Sequence, residues 1–361
     1  MKKVKKILVI IQRSNGDVFL SSNLICSLFE YFDSPKIDLL INDDTHSIAS
    51  LLPHINLIHQ FSYSEKKNQR WAQEKKLFKN IYRKYDLSIN LTASDRSVLY
   101  ALFASKNSIS AIEKNVKKSW WKKLFLTYHY YFDGDKHILI NNSEALNLLN
   151  IKHINILKSI KISENIVSIM RSKLNKKGIK EFIIFHPSAQ YYYKIYPRHL
   201  RDELIMHLNN LGIPVLITGS NNLIDSRIKK QIPVASNIYN FIGKTSLADY
   251  FALSELSSAY IGMDTLNMHI AASQNKRIFS IFGPTNVKMW SPWSNIVKGG
   301  ARDNKPIQNY GNVTLFQTSL PCKSCGKIGC GSNHNNDEFT YNTKPIEIYN
   351  EVLEWLRKTK E

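Results

Sequence analysis

Residues 181–188 read EFIIFHPS and residues 213–220 read IPVLITGS. Both are short apolar runs that end in small polar residues, the pattern of strands covered on both faces in a parallel sheet. Between them the segment around 197–211 patterns as a helix, so the unit is strand, helix, strand. After a helix beyond Asn222, YIGMD (260–264) and RIFSIFGP (277–284) extend the series. The same alternation already occupies the first half of the chain. KILVII (6–11), IDLLI (37–41), LIHQF (57–61) and DLSIN (86–90) read as strands, and VFLSSNLICSLFEYF (18–32) as a helix. A series that begins twice predicts an α/β chain of two doubly wound domains. The expected boundaries are 1–165, 166–343 and 344–361, with the seam in the Lys-, Ser- and Asn-rich stretch 158–180. The last segment contains an amphipathic helix, PIEIYNEVLEWLRK (345–358).

Composition narrows the classes. The chain has 361 residues, 43% hydrophobic and 22% charged, which excludes a disordered tail and a collagen-like repeat. Lys and Arg total 49 against 29 Asp and Glu, a formal net charge of +20. Such a field attracts polyanions: nucleic acid, anionic lipid or phosphorylated sugar. Four cysteines in a chain of this length do not make a disulfide framework. The apolar run Ile7 to Ile11 is too short for a signal peptide, and no stretch reaches the roughly 20 apolar residues of a membrane span. A soluble cytoplasmic protein is expected, with any membrane contact peripheral.

Open α/β sheets hold ligands outside the carboxyl ends of their strands. Asn15-Gly16-Asp17 follows the first strand, with Gly16 free for a left-handed turn and Asp17 either capping a helix from Val18 or serving as a general base. Ser188 follows the strand at 181–188, and Lys194 stands before a helix whose first turn contains Pro197, placed to meet a diphosphate. Gly219 follows the next strand. In GMDTLNMHIAAS (262–273), Asp264 and Thr265 are expected to cap a helix carrying His269. Gly243-Lys244-Thr245-Ser246 lacks the upstream glycine of a Walker A loop, which excludes that site.

Cys322, Cys325, Cys330 and His334 include enough ligand types for zinc, but their spacing fits no standard finger, so a reduced loop is the expected state. KKSWWKKLFLTYHYYF (117–132) interleaves Lys117, Lys118, Lys122 and Lys123 with Trp120 and Trp121. It suits an anionic membrane interface, a nucleic acid, or a solvated helix with a buried aromatic face.

Taken in order, KILVIIQRSNGDVFLSSNLICSL, FIIFHPSAQYYYKIYPRHL, VLITGS, NFIGKTSLADYFAL and YIGMDTLNMHIAASQNKRIFSIFGPTNVKMWSPW resemble the bacterial ADP-heptose:lipopolysaccharide heptosyltransferases of glycosyltransferase family 9. The resemblance covers nearly the whole chain. It implies a GT-B architecture of two Rossmann-like domains facing a central cleft, acceptor in the first and nucleotide sugar in the second. It also implies Asp17 as catalytic base, with Asn15 and Gly16 on the acceptor side. Ser188, Lys194, Gly219, Thr245, Asp264, Thr265 and His269 would lie on the donor side. ADP-heptose would be the donor, with no cofactor required and no metal-binding motif. The acceptor would be the acidic inner core of lipopolysaccharide or lipooligosaccharide, met at the cytoplasmic face of the inner membrane. That partner suits the +20 charge better than nucleic acid does. Leu266 replaces the glycine usual in the family's Asp-Thr-Gly block, and this together with FGPTNVKMWSPW looks closest to the heptosyltransferase III-like branch. A hexose donor for another surface glycan, or a non-catalytic basic binding protein on this scaffold, are the competing expectations.

Overall fold

The computed structural model of the chain describes residues 4–283, 285–318 and 343–360. They form two compact α/β units, Met1–Ile160 and Lys161–Glu361. The helix Glu164–Asn175 lies in the second unit, against the helix Leu247–Leu256.

The first unit is built on six strands: β1 (Lys6–Ile11), β2 (Lys36–Asn42), β3 (Ile55–Phe61), β4 (Leu87–Asn90), β5 (Ser108–Ile112) and β6 (Tyr128–Tyr131). Their order across the sheet is β3-β2-β1-β4-β5-β6, with parallel pairing throughout. This is a doubly wound order, reversing beside β1. Ile7 to Ile11 are fully or almost fully buried, as an unalternating apolar strand must be when helices cover both faces. The segment 18–32, expected as one helix, is two: Asn15–Leu20 and Ser22–Tyr31, parted at Ser21. The Ser21 hydroxyl donates to the Val18 carbonyl at 2.7 Å, a local bond that competes with helix continuation.

The second unit has seven strands: β7 (Ile183–His186), β8 (Val215–Ile217), β9 (Ile238–Asn240), β10 (Ala259–Met263), β11 (Arg277–Phe282), β12 (Ile307–Tyr310) and β13 (Val313–Gln317). The order is β12-β13-β11-β10-β7-β8-β9, and all pairs are parallel except β12 with β13. From β7 the chain proceeds outward to β8 and β9, then returns to place β10 on the other side. The helix Pro345–Lys360 closes this core, inserting Ile348, Val352 and Leu356 among Ile183, Leu204 and Phe279. Tyr196 fixes its approach by donating to the Thr343 carbonyl at 2.7 Å.

Candidate functional site

Each sheet reverses direction once, and a crevice at the carboxyl ends follows from that reversal. In the first unit the reversal flanks β1. The chain leaves β1 through Gln12 and Arg13, and Ser14 (φ −76°, ψ 170°) becomes the N-cap of Asn15–Leu20. Asp17 is therefore the third residue of the helix. Its Oδ2 accepts from the Ser14 N–H at 3.2 Å and the Ser14 hydroxyl at 2.6 Å, reaching back in the manner of a capping box. The Arg13 Nε lies 2.8 Å from the other oxygen, one helical turn away.

This corrects two expectations. The helix does not start at Val18, because Ser14 supplies the cap earlier. Gly16 is helical and takes no left-handed conformation. Asn15 and Gly16 are half-buried, and Asp17 is only 5% exposed. Arg13 is not singled out in the sequence, and Ser14 stands there only as part of the turn after β1, although the Ser-x-x-Asp spacing carries the capping signal. Gln12 was also missed. It is buried beside this turn, and its side-chain amide has no hydrogen-bond partner among the described residues.

In the second unit the reversal falls between β7 and β10. Lys194 ends the short turn Tyr192–Lys194 that follows β7, and Asp264 follows β10. The Lys194 Nζ donates to the Asp264 carboxylate at 3.0 and 3.3 Å. The two side chains stay 22% and 11% exposed, so the pair is held without being sealed from solvent. Thr265 is the N-cap of Leu266–Ser273 but makes no side-chain cap bond. The expected Asp-Thr side-chain cap is thus corrected, because Asp264 is turned to Lys194 instead. His269 lies buried on that helix.

Gly262 lets these elements come close. At φ +156°, a Cβ there would stand 2.5 Å from the His186 carbonyl oxygen and 2.8 Å from the Tyr260 hydroxyl. His186, at the end of β7, has Nδ1 3.0 Å from both the Thr218 hydroxyl and the Asn267 amide. Burial pushes its pKa down to about 4, against opposing contributions from Asp225 and Thr218, so the ring is neutral at pH 7.

Ser188 is buried and its hydroxyl donates to the Asp225 carboxylate. Asp225 also accepts from the Ser220 N–H at 2.5 Å and the Ser220 hydroxyl at 2.7 Å. Gly219 lies against this cluster, where a Cβ would approach the Asp225 carboxyl carbon to 3.1 Å. The Gly219 carbonyl accepts from the Gly243 N–H at 2.9 Å, which brings the loop of half-buried Thr245 to the same strand ends. Sequence reading singled out neither Asp225 nor the His186–Asn267 contact.

The segment 117–132 resolves into the helix Val116–Phe125 and β6. Lys122, grouped in the sequence with solvent-facing lysines, is fully buried and sits 2.7 Å from both Asp95 and Glu113. Cys322, Cys325, Cys330 and His334 lie outside the described residues. Among the described residues, no helix is long and apolar enough to cross a membrane.

Residues 74–316 match the family model described as glycosyltransferase family 9 (heptosyltransferase). Lipopolysaccharide heptosyltransferase 3 of Escherichia coli is 27% identical to this chain over 292 residues, which cover 78% of this chain and 85% of that protein. Among solved structures, a glycosyl transferase family 9 protein from Veillonella parvula DSM 2008 aligns with a TM-score of 0.72 at 17% identity, covering 98% of each chain. The Escherichia coli ADP-heptose lipopolysaccharide heptosyltransferase II aligns with a TM-score of 0.69 at 18% identity, covering 99% of this chain and 100% of that one. The shared fold is GT-B.

Proposed function

The chain belongs to glycosyltransferase family 9 (heptosyltransferase), and we propose that it transfers a heptosyl group from ADP-heptose to the inner core of lipopolysaccharide or lipooligosaccharide. One observation carries this reading to residues. Asp17 and the Lys194–Asp264 pair follow the strands at which the two sheets reverse, where this fold class holds ligands. The names of the similar proteins from Escherichia coli support the donor and the acceptor class.

On this reading Asp17 takes the proton of the acceptor hydroxyl as its oxygen attacks the anomeric carbon. The new bond to that carbon forms as the bond to the diphosphate oxygen breaks, inverting the centre and releasing ADP. Arg13 and Ser14 position the Asp17 carboxylate. Lys194 releases Asp264 to meet the donor diphosphate, and negative charge growing on the leaving phosphate is stabilised there. Asp264 is then available to sugar hydroxyls, with Thr265 and His269 completing that wall. Ser188 acts through Asp225, ordering the loop that carries Gly219. The diphosphate is met by lysine and helix amides, so this mechanism calls for no metal. The reaction takes place at the cytoplasmic face of the inner membrane, with the protein in peripheral contact with anionic lipid.

Transfer is tested by ADP release with purified ADP-heptose and core oligosaccharide. Asp17→Asn is expected to keep the rise in melting temperature produced by ADP-heptose while losing transfer by about a hundredfold or more. Near-normal turnover would remove Asp17 from the base role. Stabilisation by UDP or GDP sugars in place of ADP-heptose would overturn the donor.

A further inference from the structure

The helix Val116–Phe125 turns a charge inward and apolar groups outward. Lys122 and Ser119 are fully buried, whereas Val116, Trp120, Leu124 and Phe125 are 66, 61, 69 and 63% exposed. At about 100° per residue, Val116, Trp120 and Leu124 form one stripe, and Phe125 stands a quarter turn beyond it at the exposed end of the helix. Lys117 is exposed beside that stripe and Lys118 is exposed at its far rim, next to Phe125. Lys123 sits 5.1 Å above the ring of Tyr131. Tyr131 and Tyr128 belong to the edge strand β6 and are themselves 43 and 49% exposed.

Among the described residues, no carboxylate pairs with Lys117 or Lys118. The ten residues VKKSWWKKLF contain no acid. The neighbouring acids face elsewhere, Asp95 and Glu113 to Lys122 and Asp133 to Lys114. Folding does not account for such an arrangement, because apolar surface left in water adds nothing to stability. A contiguous apolar face on a monomer marks an interaction surface. Its chemistry selects the occupant: an indole and aliphatic groups rimmed by unneutralised lysines match the boundary between acyl chains and anionic headgroups.

We propose that the outward face of Val116–Phe125, with Tyr128 and Tyr131, docks on an anionic lipid bilayer. The helix lies in the plane of the interface, Trp120, Leu124 and Phe125 entering the headgroup region and Lys117 and Lys118 meeting lipid phosphates. The proposal deepens the reading of a lipid-borne acceptor and rests on it for its purpose. Its test omits acceptor and donor, so it fails or succeeds independently of transfer.

The full chain is floated with vesicles of phosphatidylglycerol and phosphatidylethanolamine, and with phosphatidylcholine alone. Expected are binding to the anionic vesicles, weak binding to the neutral ones, and a fall with added salt. Trp120→Ser/Leu124→Ser/Phe125→Ser should lower the anionic partition coefficient at least tenfold, with an unchanged melting temperature because the groups are exposed. Lys117→Gln and Lys118→Gln should each lower it about fivefold, the effect of one lysine at such a surface. Trp71→Ser, at an 81% exposed indole on the helix Lys66–Ile81, should leave it unchanged. The proposal is overturned by equal partition of the triple variant and the parent chain, or by an equal loss in Trp71→Ser. It is also overturned if the triple variant loses only self-association on a sizing column, or only binding to a single-stranded oligonucleotide, while vesicle binding persists.

Discussion

Lys122 and Lys194 are both lysines beside carboxylates, one in each unit, and they have opposite fates. Lys122 is fully out of water between Asp95 and Glu113, with its Nζ also donating to the Ala93 carbonyl at 3.2 Å. Its charge is spent on joining the helix Asp95–Ala104 to the end of β5 and the helix Val116–Phe125. Lys194 meets Asp264 at a strand end where both groups retain access to solvent. A lysine whose ammonium reaches water can exchange its carboxylate for a ligand phosphate at small cost, whereas an ammonium that is itself fully buried cannot, even with a partner as exposed as Asp95. The number of nearby acids does not separate a structural lysine from a functional one. Access to water does.

Lys194→Met should reduce transfer about 100- to 1,000-fold in steady-state kinetics, with unfolding free energy within about 0.5 kcal/mol of the parent. A large stability loss without a rate effect would make Lys194 another Lys122. The converse variant, Lys122→Met, should lose about 2–3 kcal/mol in urea unfolding while the folded fraction retains its turnover. That figure lies below the range for a fully buried pair because Asp95 and Glu113 can rehydrate.

Gly262→Ala sharpens the contrast from the backbone side. The added methyl would meet the His186 carbonyl oxygen, so a loss of about 2 kcal/mol is expected by thermal unfolding, together with weaker nucleotide binding. The smallest effect concerns His186. Its folded pKa, about 4, lies below the ordinary value near 6.5, so the neutral ring stabilises the fold above pH 6.5 and that contribution is lost as pH falls toward 4. Unfolding at pH 7 and pH 5 should differ by about 1–2 kcal/mol more in the parent chain than in His186→Gln. Equal differences would show that burial of this ring does not govern the acid response.

How much of this was legible in the sequence depended on distance along the chain. β1, β2, β7, β10 and β11 announce themselves because a strand covered on both faces must be apolar without alternation. The polar residues that end those runs mark the turns where Asp17, Lys194 and Asp264 are found. β5, with the sequence SISAI, is too small and polar to stand out, and β6, YHYY, is hidden inside a lysine-aromatic segment. The burial of Lys122 could not be read, because it looks like the lysines beside it until Asp95 and Glu113 fold against it. The Asp17 turn was half legible: the carboxylate was found, but the role of Ser14 as cap and Arg13 as partner was passed over. Asp225 was invisible, since its importance comes from Ser188 and Ser220 arriving in the loops that follow β7 and β8.

The closing helix has a consequence for how the chain is made. The first unit contains every strand of its sheet within Met1–Ile160, so its core can close while later residues are still being synthesised. The second cannot do the same, because Ile348, Val352 and Leu356 fill the space beside β7 and β11. Its strands must wait for a partner that emerges after all of them, leaving apolar surface uncovered during translation. Vectorial folding of this kind makes the second unit the one that would engage chaperones and aggregate first when synthesis stalls.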